Sequence, residues 1–166
     1  MSTATERFRA AARAYLAYGI VYWLGGLYLV SQGVGVAGAR SGGDTFRAML
    51  TWGLLGLIPL VAIPLLLWRP WSWAGGWVSR RTLAWLVALL LAVRAWKVGQ
   101  VALRGDGATV PAPWGGVLTF QAGAVVFLAV TLTALAFVLA AAWRPDEPVQ
   151  PERAPAGAPA SRSGLP

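Results

Sequence analysis

Cysteine and histidine are both absent from this 166-residue chain, and most of the side chains that do chemistry near neutral pH go with them. Without cysteine there is no disulfide, no thiol redox couple, no thiolate-bound metal and no thiol to acylate, so the redox compartment is left open. Without histidine there is no imidazole base, proton shuttle, haem ligand or zinc ligand. No cofactor and no metal are therefore expected. Carboxylates are scarce as well: the six are Glu6, Asp44, Asp106, Asp146, Glu147 and Glu152. What remains for chemistry is Tyr, Trp, Ser, Thr, Arg, backbone and the single lysine, Lys97.

What is abundant is apolar length. Four runs, roughly residues 14–36, 48–68, 82–103 and 117–142, contain no Asp, Glu, His or Cys. Each meets the ~20 residues that a helix needs to cross a hydrocarbon core of about 30 Å. With 57% hydrophobic and 12% charged residues, too few charges exist to cover a soluble sphere. The fold class expected is all-α, a four-transmembrane-helix bundle over residues 1–144. Arg7, Arg9 and Arg13 before the first run, with Ala37-Gly38-Ala39 after it, have the layout of a signal peptide. That run exceeds the usual h-region and three more follow, so it is read as a retained span.

Lysine and arginine set the orientation. Arg7, Arg9 and Arg13, then Arg69, Arg80 and Arg81, then Arg144 and Arg153 with Arg162 beyond, share one side; Arg40, Arg47 and Arg104 take the other. Both termini are expected to be cytoplasmic. The net charge of +8 then faces an anionic leaflet, and the expected partners are membrane lipids, preferentially anionic. The cations form no continuous basic stripe, so nucleic acid is not an expected partner. Trp68, Trp71, Trp73, Trp77 and Trp143 on the cytoplasmic side, with Trp52 and Trp114 near the outer ends, read as interfacial belts. From Pro145 the chain turns to Pro, Ala, Glu, Ser and Gly, and residues 145–166 are expected to form a disordered tail. Arg104-Gly105-Asp106 spells an adhesion tripeptide, but its glycines make it a turn first.

The third run carries the candidate site. At 100° per residue, Arg94, Lys97, Gln100 and Arg104 fall within about 120° of arc, a polar stripe from mid-membrane to the outer surface. Two cations at full depth cost about 5 to 7 kcal/mol on insertion scales, and no span holds a carboxylate to neutralise them. Partners must be dipoles, aromatic faces, water, lipid phosphate or an anion. Pro59 and Pro64 free the carbonyls of Leu55 and Leu60, which could accept from the cations. Tyr15, Tyr18 and Tyr22 lie within about 60° of arc on the first run, with Tyr28 and Gln32 beside them. Tyr22 could meet Arg94 by hydrogen bond or cation–π contact, whereas Tyr15 reads as a belt residue. Gln121, Thr119, Thr131 and Thr133 could complete a polar interior or bond their own backbone. The ligand-binding candidates are Arg94, Lys97, Gln100, Tyr22, Gln32 and Gln121.

Small residues recur at packing distance: Ala84, Ala88 and Ala92; Gly115, Thr119 and Gly123; Gly53 and Gly56. Such rows permit close helix contacts, within one bundle, in a homo-oligomer or with a membrane partner. Tyr22-Trp23-Leu24-Gly25-Gly26, together with Arg69-Pro70-Trp71 and Arg80-Arg81, resembles the small four-helix membrane proteins of unknown function common in high-GC actinobacteria. The resemblance spans residues 7 to 144 and implies a four-helix fold in a bacterial inner membrane; it transfers no site. The function expected is that of a non-enzymatic integral membrane protein with a cationic intramembrane site for a lipid headgroup, anion or partner. The alternative is a small oligomeric transporter or channel for an anionic or amphipathic solute. An enzyme would have to use Tyr22 or Lys97 as acid or base, and nothing in the sequence places a nucleophile or a metal beside either.

Overall fold

The computed structural model describes residues 4–32, 42–68, 79–104 and 107–143. Among these the chain forms four long helices, α1 (Ala4–Ser31), α2 (Gly42–Trp68), α3 (Arg80–Arg104) and α4 (Phe120–Trp143). A short hairpin, β1 (Thr109–Pro111) and β2 (Val117–Thr119), joins α3 to α4. Each helix is long and apolar enough to cross a membrane. Expectations for residues 33–36, Arg40, Arg69, Trp71, Trp73, Trp77, Gly105, Asp106, Arg144 and the tail concern residues outside those described.

Helix limits differ from the apolar runs for identifiable reasons. α1 starts at Ala4 because Phe8, Ala11 and Ala12 give its first turns a buried face, while Glu6 suits the positive end of the helix dipole. Tyr15 is accordingly a core residue and not a belt residue. α2 likewise starts before residue 48, with Asp44 in its first turn, and Trp52 lies well inside the helix and not in a terminal belt. α4 starts later than residue 117. Gly115 and Gly116, at φ of +93° and +89°, reverse the chain after Pro113-Trp114, and residues 117–119 pair with β1 in the register Val110↔Leu118. Thr119 Oγ1 then accepts the Ala122 amide at 3.3 Å and caps α4. The row Gly115, Thr119, Gly123 is therefore not one helix face. The Tyr28 hydroxyl donates to the Pro111 carbonyl and ties the hairpin to α1.

The core combines alanines and tyrosines with a few branched side chains, while many more branched residues lie outside. Alanines of α1, α3 and α4, together with Tyr15, Tyr18, Val87, Leu91, Thr131 and Val138, fill the core, whereas Leu54, Ile58, Leu89, Leu90 and Val126 are exposed. Of the 84–88–92 row on α3, Ala84 and Ala88 are buried and Ala92 is exposed. Only 17 to 28% of the most apolar window of each helix is buried. That distribution suits a hydrocarbon surrounding, where close approach of backbones and not burial of leucine holds helices together.

Cations close the end of the bundle where α2 and α4 finish, here the basic end. Arg80 donates to the Trp68 carbonyl at 3.3 Å, and Arg81 donates to the carbonyls of Ala142 at 2.9 Å and Trp143 at 3.4 Å. These are terminal carbonyls that their own helices leave unpaired, at the negative ends of two dipoles. Ser79 Oγ caps α3 by accepting the Thr82 amide at 3.0 Å.

α1 packs on α2 and α4, and α3 packs on α4, but α2 and α3 barely touch. The buried cluster is concentrated toward the basic end, around Phe8, Leu67, Ala84, Val138 and Ala142. Leu60, Pro64 and Leu67 are buried on α2, whereas none of its residues from 43 to 59 is. The helices thus close together at the basic end and part between α2 and α3 toward the hairpin.

Candidate functional site

At the base of that opening stands Arg94. Ten residues separate it from Arg104 at the end of α3, which at 1.5 Å per residue places it about 15 Å into the bundle. Its guanidinium carbon lies 4.5 Å from the centroid of the Tyr22 ring on α1. Among the described residues the contact found for Arg94 is this ring face, and no hydrogen bond joins it to the carbonyls of Leu55 or Leu60. A guanidinium over an aromatic face can still donate its N–H groups to an acceptor, and carboxylate or phosphate oxygens match that fork.

Tyr22 is held firmly. Its ring stacks on Tyr18 (6.1 Å, 15° between planes) and lies against Trp52 of α2 (5.3 Å) and Phe127 of α4 (5.7 Å). Trp52 is fixed in turn by the crossing of α1 and α2, where large and small residues interlock. The Trp52 indole rests on Gly26, and Trp23 rests on Gly56 while donating from Nε1 to the Gly53 carbonyl at 3.0 Å. A Cβ on Gly26 would overlap the Trp52 ring. Interlocking of this kind lets two backbones approach without lipid between them.

The remaining sequence candidates stand elsewhere. The buried face of α3 runs through Ala84, Val87, Ala88, Leu91, Ala95 and Ala102. At 100° per residue Arg94 lies about 80° from the centre of that face, on its flank, and Lys97, Gln100 and Arg104 lie about 140° or more away. Lys97 and Arg104 are exposed and Gln100 is half-buried. Gln121 donates from Nε2 to the Ala102 carbonyl at 2.9 Å, so its amide closes the end of α3. Gln32 is exposed at the end of α1, its amide 3.5 Å from Ser31 Oγ. Thr131 and Thr133 bond the carbonyls of Phe127 and Ala129 four residues back, and so stay within α4. Of the six, the structure brings together Arg94 and Tyr22. Trp52 and Phe127 were not anticipated, because nothing in a single sequence says which aromatic residues of separate helices will share a level.

Two features lie away from this site. A groove of about 540 Å³ between α1 and α4 is lined by Ala10, Ala14, Ala17, Ala129 and Phe137 among others, a surface suited to a lipid chain. At its rim Arg13 stacks over Trp68, 5.5 Å from the ring centroid. Among the described residues no group of His, Cys, Asp and Glu side chains is placed to hold a metal. No family model, no curated protein and no solved structure matches this chain.

Proposed function

We propose that the chain is a four-pass integral membrane protein of a bacterial inner membrane, with both termini cytoplasmic, and that it binds an anionic group at Arg94 without catalysing a reaction on it. The observation that carries this reading is the guanidinium of Arg94 over the Tyr22 ring, about 15 Å along α3 from Arg104, at a level where the four apolar runs supply no carboxylate. A cation at such a level is costly, and an anion supplies the charge that the apolar runs omit. Tyr22 offers the guanidinium a ring face, and its N–H donors can then bond a ligand.

Binding is favoured over conduction because the bundle is packed below the site. Tyr18, Leu91, Thr131 and Val138 are buried there, so a solute at Arg94 has no open way to the basic end through one copy. Native mass spectrometry of the gently solubilised protein tests the proposal. The wild type is expected to retain an acidic lipid or small anion, and Arg94→Leu to lose it while still unfolding cooperatively. Equal retention by both proteins would refute the site, and flux of an anion through liposomes would favour transport.

A further inference from the structure

Two observations bear on how a ligand reaches Arg94. The first is the parting of α2 from α3 toward the hairpin, where no described residue of α2 from 43 to 59 is buried and Arg94 is exposed. The second is the direction of the polar stripe. Arg104, Gln100, Lys97 and Arg94 lie about 0, 6, 10 and 15 Å from the end of α3. Over that distance they turn from the side away from the bundle to the flank where Arg94 meets Tyr22.

A site fed from water would be reached along the bundle axis, and its cations would face inward. Here the cations begin on the outer surface of the helix, at the hairpin end, among exposed apolar residues such as Val93, Trp96 and Leu103. A charged head can follow that stripe only if its tail stays in the surrounding hydrocarbon. Snorkelling lets Lys97 reach toward the interface and meet the head there, whereas Arg94, held on Tyr22, stays at depth.

We infer that the ligand is an amphiphile with an acidic, phosphate-like head and an alkyl tail, drawn from the leaflet at the hairpin end. Its head passes Arg104 and Lys97 and settles on Arg94 between α2 and α3, with the tail remaining in lipid. This inference rests on the anion-binding reading above and adds the class of ligand and the route.

The test is thermal unfolding of the full chain in a non-ionic detergent with three additives: long-chain phosphatidylglycerol, phosphatidylcholine of the same chain length, and inorganic phosphate. Phosphatidylglycerol is expected to raise Tm with a saturable midpoint, and the other two to leave it unchanged. Lys97→Gln and Arg104→Gln, both on exposed side chains, are each expected to keep cooperative unfolding and to weaken that midpoint about fivefold, the value of one cation near a lipid surface. Arg94→Gln is expected to abolish the shift. If inorganic phosphate stabilises as well as the lipid, the site is fed from water, and this inference falls while the anion site stands. If Lys97→Gln and Arg104→Gln leave the lipid midpoint unchanged, the route is overturned. If no anion of either kind stabilises the protein, both readings fall together.

Discussion

Arg94 meets Tyr22 over the ring, its guanidinium carbon 4.5 Å from the centroid. Tyr22→Phe keeps that π face and is expected to leave stability nearly unchanged. Tyr22→Leu removes it and is expected to cost about 0.5 to 2 kcal/mol. A double-mutant cycle with Arg94→Met, read by reversible unfolding in detergent, isolates the pair. Equal losses for Phe and Leu would mean that the hydroxyl, and not the ring, holds the cation.

Gly25 and Gly26 are neighbours in sequence with opposite surroundings. Nothing lies within 4 Å of a Cβ built on Gly25, whereas one on Gly26 overlaps Trp52. Gly25→Ala is expected to be neutral or to stabilise α1 by up to about 1 kcal/mol, since alanine favours the helix. Gly26→Ala is expected to destabilise by about 1 to 3 kcal/mol, because the indole must move away from α1. The same unfolding measurement ranks them, and similar values for both would remove the interlocked crossing.

The two tryptophans of that crossing differ in their N–H groups. Trp23 donates to the Gly53 carbonyl, whereas the buried Trp52 Nε1 has no acceptor among the described residues. Both substitutions by Phe lose similar ring volume. Trp23→Phe also loses a hydrogen bond, and Trp52→Phe relieves a buried unpaired donor, so Trp23→Phe is expected to be the more damaging by about 1 to 3 kcal/mol. The reverse order in thermal unfolding would contradict the assignment.

Arg81 and Arg9 separate capping from net charge. Arg81 holds the last carbonyls of α4, whereas Arg9 is exposed and makes no hydrogen bond to them. Arg81→Ala is expected to cost about 1 to 2 kcal/mol and to speed amide hydrogen exchange over the last turn of α4. Arg9→Ala removes the same charge and is expected to leave that exchange unchanged. Matching behaviour would assign Arg81 to orientation alone.

Much of the architecture was legible in the chain because spanning helices are written in composition. A run long enough to cross hydrocarbon and empty of carboxylates has few other structures open to it. Tyr22 and Arg94 were legible as partners for a related reason: a cation set within an apolar run must find a compensating group, and few polar groups exist at its level. Lys97 and Gln100 share an arc with Arg94, yet the arc alone could not say that α4 would cover the opposite side of α3. The hairpin was missed because Val117, Leu118 and Thr119 are as apolar as the helix they precede; Gly115-Gly116 was its signal, and it read as helix packing.

The sequence by itself determined the number of long helices, their near limits and the scarcity of counter-charge, because those depend on length and composition. Tertiary structure alone decided that α2 parts from α3, that Trp52 and Phe127 wall in Tyr22, and that Arg80 and Arg81 close other helices. Such relationships depend on where large side chains of one helix meet glycines of another. No periodicity within a single helix encodes that meeting.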